Sequence, residues 1–163
     1  MADEKKAYFA GGCFWCVEEA FEQTSGVIKA ISGYTGGYVK NPTYEQVTYK
    51  NTGHYEAVEV VYDPKKVSYD QLLDIFWKNI DPYDAQGQFC DKGSSYLTAV
   101  FYQNDEEKNA FENSKKRLGK PDIANFATHI KKLDIFYPAE DYHQDYYKKN
   151  PIRYKLYKNG CGR

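Results

Sequence analysis

The sequence predicts an α+β protein with a two-layer, ferredoxin-like core, in which two helices pack on one sheet in the chain order βαββαβ. Three patterns support this prediction. A short apolar run over 7–10 is followed by apolar residues at helical spacing over 14–21. Residues 54–62 then alternate in the manner of a strand, with apolar side chains on both faces. Ser68 and Gln71 form a capping box at the start of an apolar helix.

The other elements of the core follow from turn residues and short apolar runs. Gly26 ends the first helix and opens a second strand over 26–34. Two irregular segments, over 35–44 and 81–95, contain turn-forming residues, and long irregular segments inside a domain are often functional. A fourth strand is expected over 96–102.

Further elements are expected after this core. The sequence predicts a highly charged helix over 105–118, which the following Gly-Lys-Pro ends, an edge strand over 128–136 and a short helix over 139–149. The segment 150–163 contains proline and glycine residues typical of turns. We therefore expect it to be a mobile surface coil that carries Cys161 near its end.

Length and composition narrow the class of protein. The 163 residues fit a single catalytic domain over 1–163. The formal net charge is -1 with both signs interspersed, which favours neither nucleic acid nor an anionic membrane as a partner. Residues 1–6 lack the features of a signal peptide, and no apolar run approaches the ~20 residues of a membrane helix, so we expect a cytoplasmic protein. Four cysteines are too few for a disulfide-rich secreted protein.

Cys13 is the candidate nucleophile, because it lies where the first strand passes into the first helix. The N–H groups and the positive end of a helix dipole stabilise an anion, so we expect the pKa of this thiol to be lowered toward neutrality. Phe14 and Trp15 follow directly and are placed to wall a pocket for an apolar substrate group. Cys16 is near enough to form a disulfide with Cys13. The alternatives are a structural pair or half of a zinc site, but the remaining cysteines and histidines supply no second ligand pair.

Glu56 is the candidate acid. It shares a strand face with two valines, where an ionised carboxylate would be desolvated, and burial raises the pKa of a glutamate. The alternative is a glutamate at a strand end that points into water. Tyr44, Asp91 and Tyr96 lie in or beside the two irregular segments, where each is by itself typical of a turn or of an aromatic core.

A series of short motifs runs from about Tyr8 to Gly162. They are Gly-Gly-Cys-Phe-Trp-Cys at 11–16, Gly-Tyr-Thr-Gly-Gly at 33–37, Asn-Pro-Thr-Tyr at 41–44, Thr-Gly-His-Tyr-Glu-Ala-Val at 52–58, Asp-Lys-Gly-Ser-Ser-Tyr at 91–96, Phe-Tyr-Pro-Ala-Glu-Asp-Tyr-His-Gln at 136–144 and Lys-Asn-Pro at 149–151. In these motifs and their order the chain resembles peptide-methionine sulfoxide reductases of the A type. The combination is specific, whereas a lone Cys-x-x-Cys would not be.

The resemblance implies a thiol-dependent reduction of methionine S-sulfoxide, free or protein-bound, to methionine. In that family the reaction passes through a cysteine sulfenic acid and an intramolecular disulfide, and it repairs oxidised proteins. The resemblance further implies that Cys13 is the nucleophile and Glu56 the acid. The residues it assigns to substrate binding are Phe14 and Trp15 for the S-methyl group and Tyr44, Asp91 and Tyr96 for the sulfoxide oxygen.

Partners also follow from the resemblance. The expected substrate is methionine sulfoxide in peptides and proteins, and the expected reductant is thioredoxin-like. We expect no cofactor and no metal, no binding to nucleic acid or membrane, and a monomer. A second thiol must condense with the sulfenic acid. Cys16 is favoured by proximity, Cys161 is the other candidate and is placed to relay the disulfide outward, and Cys90 is expected to be structural.

Two other functions are compatible with parts of the sequence. A thioredoxin-like disulfide oxidoreductase also has a Cys-x-x-Cys at the start of a helix, and it would use Cys13 and Cys16 without an acid. A tyrosine-rich module for binding proteins would use the late aromatics as an interface. The second alternative gives no reason for the motif at 11–16.

Overall fold

The fold is built on one mixed sheet with helices packed against it. The computed structural model describes residues 4–118 and 125–163. Its strands are β1 (Lys5–Gly11), β2 (Val27–Thr35), β3 (Tyr55–Tyr62), β4 (Gly87–Gln88), β5 (Asp91–Lys92), β6 (Thr98–Tyr102), β7 (His129–Lys132) and β8 (Tyr137–Pro138). Its helices are α1 (Phe14–Glu22), α2 (Tyr44–Tyr49), α3 (Tyr69–Lys78), α4 (Asp105–Arg117), α5 (Tyr146–Lys149) and α6 (Pro151–Cys161).

The strand order confirms the predicted α+β class. Among the described residues the main sheet runs β7-β6-β1-β3-β2-β8, and its four central strands pair antiparallel throughout. Helix α1 joins β1 to β2 and leaves a gap between them that β3 fills. This is the split arrangement that the order βαββαβ predicts. At the edges, β7 pairs parallel to β6, and β8 pairs antiparallel to β2.

The main core lies between one face of the sheet and helices α1, α3 and α4. Phe9 of β1 is at its centre, with ring centroids 4.9 Å from Phe21 of α1 and 5.2 Å from Phe76 of α3. All three side chains are fully buried. Aromatic pairs at such separations stabilise a core by about 0.5–1.5 kcal/mol beyond their buried area.

The two faces of β3 divide as the alternating sequence predicts. Val58 and Val60 pack in the main core, while Tyr55 and Ala57 belong to a second cluster on the opposite face of the sheet. Because side chains alternate along a strand, Glu56 is directed to the same face as Val58. The strand therefore carries a carboxyl group into the layer occupied by α1.

Helix starts are defined by hydrogen bonds within the chain. The predicted capping box of α3 is confirmed, since Ser68 Oγ accepts the Gln71 N–H at 3.1 Å and Gln71 Oε1 accepts the Ser68 N–H at 2.9 Å. Helix α2 has the same device, formed by Thr43 and Gln46. Helix α2 was not among the predicted elements, although Thr43 and Gln46 have the spacing of a capping box.

Several boundaries differ from the prediction. Strand β6 begins at Thr98, and Tyr96 ends a short 3-10 turn over Ser94–Tyr96. The irregular segment 81–95 contains the hairpin β4–β5. The helix expected over 139–149 is divided into a 3-10 turn at Asp141–His143 and helix α5, because Asp145 between them has a left-handed backbone with φ 54°.

The coil predicted for 150–163 is wrong, because most of this segment forms helix α6. Pro151 occupies the start of the helix, where its missing N–H is not needed. Tyr154 and Cys161 are buried, and the Tyr154 hydroxyl donates to Glu19 Oε1 at 3.0 Å. Tertiary packing thus outweighs the weak helix propensity of Gly160. The mobility expected of this segment stays a prediction.

The stop of α4 predicted at 119–121 lies outside the described residues. Within 4–118 and 125–163, each helix is too short or too polar to cross a lipid bilayer.

Candidate active site

Cys13 is the residue at which β1 passes into α1, as predicted. It is the N-cap of α1, and its carbonyl oxygen accepts the N–H groups of Cys16 at 3.2 Å and Val17 at 3.4 Å. Gly12 makes this turn with φ +83°, and a Cβ there would lie 2.6 Å from Cβ of Gln88. A side chain at position 12 would therefore displace the thiol that follows it.

The predicted lowering of the Cys13 pKa is wrong for this structure. The residue is 5% exposed, and burial raises the pKa of its thiol well above the usual value. The hydrogen bond with Cys16 and the charge of Glu56 raise it further, while the Tyr157 hydroxyl lowers it. A helix dipole contributes only about 0.3–1 kcal/mol at a terminus, less than one pKa unit, so loss of water dominates.

Cys16 is the more readily ionised thiol of the two. The hydrogen bond from Cys13 lowers the pKa of Cys16 to about 7, against the opposing effect of burial. The positive charges of Arg163 and Lys158 lower it further. These two side chains, together with Lys78, line a cavity of about 290 Å³ that reaches Cys16. Cys13 and Cys16, which we call the inner pair, are both free thiols that are not joined in a disulfide.

Glu56 is buried beside the nucleophile, as the alternation of β3 predicts. Its residue is 1% exposed, and Oε1 accepts the N–H of Phe14 at 3.2 Å. Oε2 is buried and has no hydrogen-bond partner among the described residues. Burial raises the pKa of Glu56 to about 8, the Phe14 N–H lowers it, and the Asp91 charge raises it. The raised pKa favours the neutral carboxyl at pH 7, and the group is hydrogen-bonded to Phe14, the residue after Cys13.

Aromatic side chains surround this point. The Phe14 ring lies 6.3 Å from Tyr44 and 5.2 Å from His143. Trp15 stacks on Tyr146 with centroids 3.8 Å apart. Phe14 and Trp15 thus lie in an aromatic cluster with side chains of α2, α5 and the turn at 141–143, while their role as the wall of a substrate pocket stays a prediction.

His143, which was not among the predicted site residues, packs against Phe14 and Trp15. Its Nδ1 accepts the indole N–H of Trp15 at 3.1 Å, so a neutral ring carries its proton on Nε2. Nε2 is buried without a partner among the described residues. Burial lowers the pKa of His143, which favours this neutral form. The histidine appeared within the motif at 136–144, but only the tertiary structure brings it to Trp15.

The hydroxyls of Tyr44 and Tyr96 converge on the same carboxyl group. Burial raises the pKa of Tyr44 to about 12, and the Glu56 charge contributes to that rise. Burial and the Glu56 charge likewise raise the pKa of Tyr96 above its usual value. Tyr44 is held in place by Glu140, which accepts its backbone N–H at 2.9 Å. Both phenols are therefore neutral donors at pH 7.

Asp91 is the first residue of β5. It accepts a hydrogen bond from the Tyr157 hydroxyl of α6. Tyr157 also packs against the inner pair and presents its ring to the edge of Trp15 at 5.8 Å. Sequence reasoning missed Tyr157, because it assigned no helix to that segment.

Cys90 and Cys161 form a disulfide, with Cα atoms 4.9 Å apart. We call them the outer pair. The structural role expected of Cys90 stays a prediction, and Cys161 is buried in α6 rather than at the end of a coil. Cys90 is exposed. The outer disulfide is thus bonded at the surface while the inner pair remains reduced beneath it.

Comparison with known proteins agrees with this site. The model of the family described as "Peptide methionine sulfoxide reductase" matches residues 5–163. Peptide methionine sulfoxide reductase MsrA of Bacillus licheniformis is 51% identical over 166 residues, which covers 100% of this chain and 92% of that protein.

Solved structures share the fold. Methionine sulfoxide reductase A of Corynebacterium diphtheriae superposes with a TM-score of 0.82 and 32% identity, covering 91% of this chain and 76% of that one. Mxr1 from Saccharomyces cerevisiae in reduced form has a TM-score of 0.81 and 29% identity, covering 93% and 90%. Mxr1 is also known in complex with Trx2, and that structure, at 22% identity and a TM-score of 0.57, shares the fold.

Proposed function

The chain belongs to the peptide methionine sulfoxide reductase family, and from this we propose that it reduces methionine S-sulfoxide, free and in proteins, to methionine. The observation that carries the proposal is the buried Glu56 carboxyl, bonded to the N–H next to Cys13 and left with one free oxygen. A sulfoxide needs a thiolate at sulfur and a proton at oxygen, and these two groups supply both. Repair of oxidised proteins is the role that follows.

In the first step the Cys13 thiolate attacks the sulfoxide sulfur while Glu56 donates its proton to the oxygen. The oxygen passes to Cys13, so methionine leaves and Cys13 becomes a sulfenic acid. A protonated Glu56 has a proton to give to the sulfoxide oxygen. It also favours ionisation of Cys13, because the ionised carboxylate is one of the groups that raise the Cys13 pKa. A neutral Glu56, the form below pH about 8, is therefore required for attack as well as for proton donation.

Substrate binding is assigned to the surrounding aromatic residues. In this proposal Phe14 and Trp15 pack against the S-methyl group, and the Tyr44 and Tyr96 hydroxyls donate hydrogen bonds to the sulfoxide oxygen. Asp91 completes the polar side of the pocket. His143 adds an Nε2–H that has no partner among the described residues and suits a carbonyl oxygen of the substrate.

The second step regenerates the thiol through the outer pair. Cys16 or Cys161 condenses with the sulfenic acid, water leaves, and exchange then delivers the disulfide to Cys90–Cys161. In sum, methionine sulfoxide and two outer thiols give methionine, water and one disulfide. The coexistence of a reduced inner pair with a bonded outer pair supports this end state.

A thioredoxin-like protein is the reductant that we propose for the exposed outer disulfide. The complex of the yeast relative Mxr1 with Trx2 supports this choice. A cytoplasmic location, a monomeric state and a single catalytic domain stay predictions.

Single-turnover assays test the proposal with separated sulfoxide epimers. Wild type should form methionine from the S epimer, and Cys13→Ser should form none. Replacement of Glu56 by Gln should slow methionine formation at pH 7 and leave the affinity for the substrate unchanged. Mass spectrometry of Cys16→Ser, Cys90→Ser and Cys161→Ser after one turnover identifies the resolving thiol. Methionine formation by Cys13→Ser would rule out the mechanism.

A general disulfide oxidoreductase is the alternative, and burial argues against it. Cys13 and Cys16 are 5% and 6% exposed, so a protein disulfide has little access to them. Rapid reduction of insulin disulfides by Cys90→Ser/Cys161→Ser, without consumption of methionine sulfoxide, would favour that alternative.

A further inference from the structure

Tyr157 is the side chain that links the two cysteine pairs. It lies in α6, four residues before Cys161, and its hydroxyl oxygen is 3.9 Å from Cys161 Sγ. The same hydroxyl donates to Asp91 and faces the Cys13 thiol, while the ring packs on the inner pair and on the edge of Trp15. The Tyr157 hydroxyl therefore interacts with the buried nucleophile and also lies near one sulfur of the outer disulfide.

Both routes of the proposed exchange expel Cys13 as a thiolate. If Cys16 resolves the sulfenic acid, Cys161 attacks Cys16, the Cys13–Cys16 bond breaks, and its electron pair goes to Cys13. Cys90 then attacks Cys161 of the new Cys16–Cys161 disulfide, and Cys16 leaves as the second thiolate. If Cys161 resolves it, Cys90 attacks Cys161, the Cys13–Cys161 bond breaks, and the pair again goes to Cys13. In each case Cys13 is reduced, an outer cysteine is oxidised, and its thiol proton is released to restore the Cys13 thiol.

Departure of Cys13 is the demanding part of this exchange. Thiol–disulfide exchange is faster when the leaving thiol has a lower pKa, and burial gives Cys13 a high one. A hydrogen-bond donor at the leaving sulfur offsets that disadvantage, because bonds to charged groups are stronger than neutral ones.

We propose that Tyr157 is the hydrogen-bond donor that receives the Cys13 thiolate when the disulfide passes from the inner to the outer pair. This rests on the proposed function and adds a role to a residue of α6. The hydroxyl turns from Asp91 toward Cys13 during the exchange and returns once Cys13 is protonated.

Neighbouring groups are less suited to this role. The Tyr154 hydroxyl is bound to Glu19 and faces Cys16 instead. Glu56, once it has given up its proton, carries a charge that opposes a thiolate at Cys13. Burial raises the pKa of Tyr157 above its usual range, and the Cys13 and Asp91 charges raise it further, so its hydroxyl keeps the proton to be shared.

The test follows the formation of the outer disulfide in Tyr157→Phe, which keeps the ring and removes the hydroxyl. Reduced enzyme is oxidised either with methionine sulfoxide or with stoichiometric hydrogen peroxide, and only molecules in which early quenched samples show oxidation at Cys13 are counted in the peroxide experiment. Rapid quenching with a thiol-trapping reagent and mass spectrometry then counts each disulfide. We expect formation of Cys90–Cys161 to slow by about tenfold, the loss typical of one charge-assisted hydrogen bond, while a disulfide that contains Cys13 accumulates.

The matched control is Tyr147→Phe, which removes another tyrosine hydroxyl, bound to Glu22 at 2.8 Å. It should form the outer disulfide at the wild-type rate. Incorporation of 3-fluorotyrosine at 157 keeps the shape and makes a stronger donor, so it should accelerate the exchange. If Tyr157→Phe folds poorly, the fluorinated protein still tests whether the hydroxyl at 157 acts as a donor.

The outcomes separate the two proposals. If wild type produces no methionine, the proposed function fails, while the peroxide experiment still measures the exchange. If Tyr157→Phe, or the fluorinated protein, transfers the disulfide at the wild-type rate after peroxide, the role of Tyr157 is excluded.

Discussion

Replacement of Glu56 by Gln should change the pH dependence of stability in a direction fixed by burial. In the folded protein the carboxyl pKa is about 8, whereas its ordinary value is 4.5. Between these values the folded protein holds a proton that the unfolded chain has lost. The contribution of Glu56 to stability is therefore present at low pH and is lost as the pH rises toward 8.

The magnitude follows from the two pKa values. Between pH 6 and pH 9 the ionisation of Glu56 should lower the free energy of unfolding of the wild type by about 2–3 kcal/mol. Gln has no such ionisation, and its side-chain oxygen still accepts the Phe14 N–H. Because its amide places a buried donor where Oε2 had no partner, we expect a constant cost at all pH values, about 1–3 kcal/mol.

The assay is urea unfolding of Cys13→Ser and Cys13→Ser/Glu56→Gln from pH 6 to pH 9, with the outer disulfide intact. The shared serine removes the coupled ionisation of Cys13. As the pH rises, the free energy of unfolding of Cys13→Ser should fall relative to that of Cys13→Ser/Glu56→Gln. This difference should level off above pH 8. Curves that stay parallel over this range would show that Glu56 is not a neutral buried acid.

Two further substitutions test local parts of the structure. Ser68→Ala removes the side-chain oxygen that accepts the Gln71 N–H at the start of α3, so urea unfolding should show a loss of about 1 kcal/mol and an unaltered rate of methionine formation. Arg163→Ala removes a positive charge that lowers the Cys16 pKa and a hydrogen bond to the Gly11 carbonyl at 2.6 Å. Ultraviolet titration of the thiolate should then give a Cys16 pKa above 7, and an unchanged titration would mean that Arg163 does not act on Cys16.

The local parts of the fold were predictable because they depend on neighbours in the chain. The alternation of residues 54–62 placed Glu56 on the core face, and the glycines before Cys13 marked the turn into α1. Ser68 and Gln71 marked the start of α3 for the same reason. Each of these features is governed by backbone geometry within a few residues.

The outer pair was not predictable in this way. Cys90 and Cys161 are 71 residues apart, and four cysteines allow three pairings that sequence alone does not distinguish. Helix α6 was missed because Gly160 and the asparagine before it favour a turn. The burial of Tyr154 and Cys161 against α1 and β5 supplies the free energy that overrides that local preference.

The sequence by itself determined which chemical groups are available and on which elements they stand: a thiol at a helix start, and a carboxyl on the buried face of a strand. The tertiary structure decided their protonation, since the pKa values of Cys13, Cys16 and Glu56 depend on how much water and charge surrounds each group. It also decided which sulfurs meet, and it brought His143 and Tyr157 to the site. Spacing along a chain sets local geometry, whereas solvation and distant contacts exist only once the chain has folded.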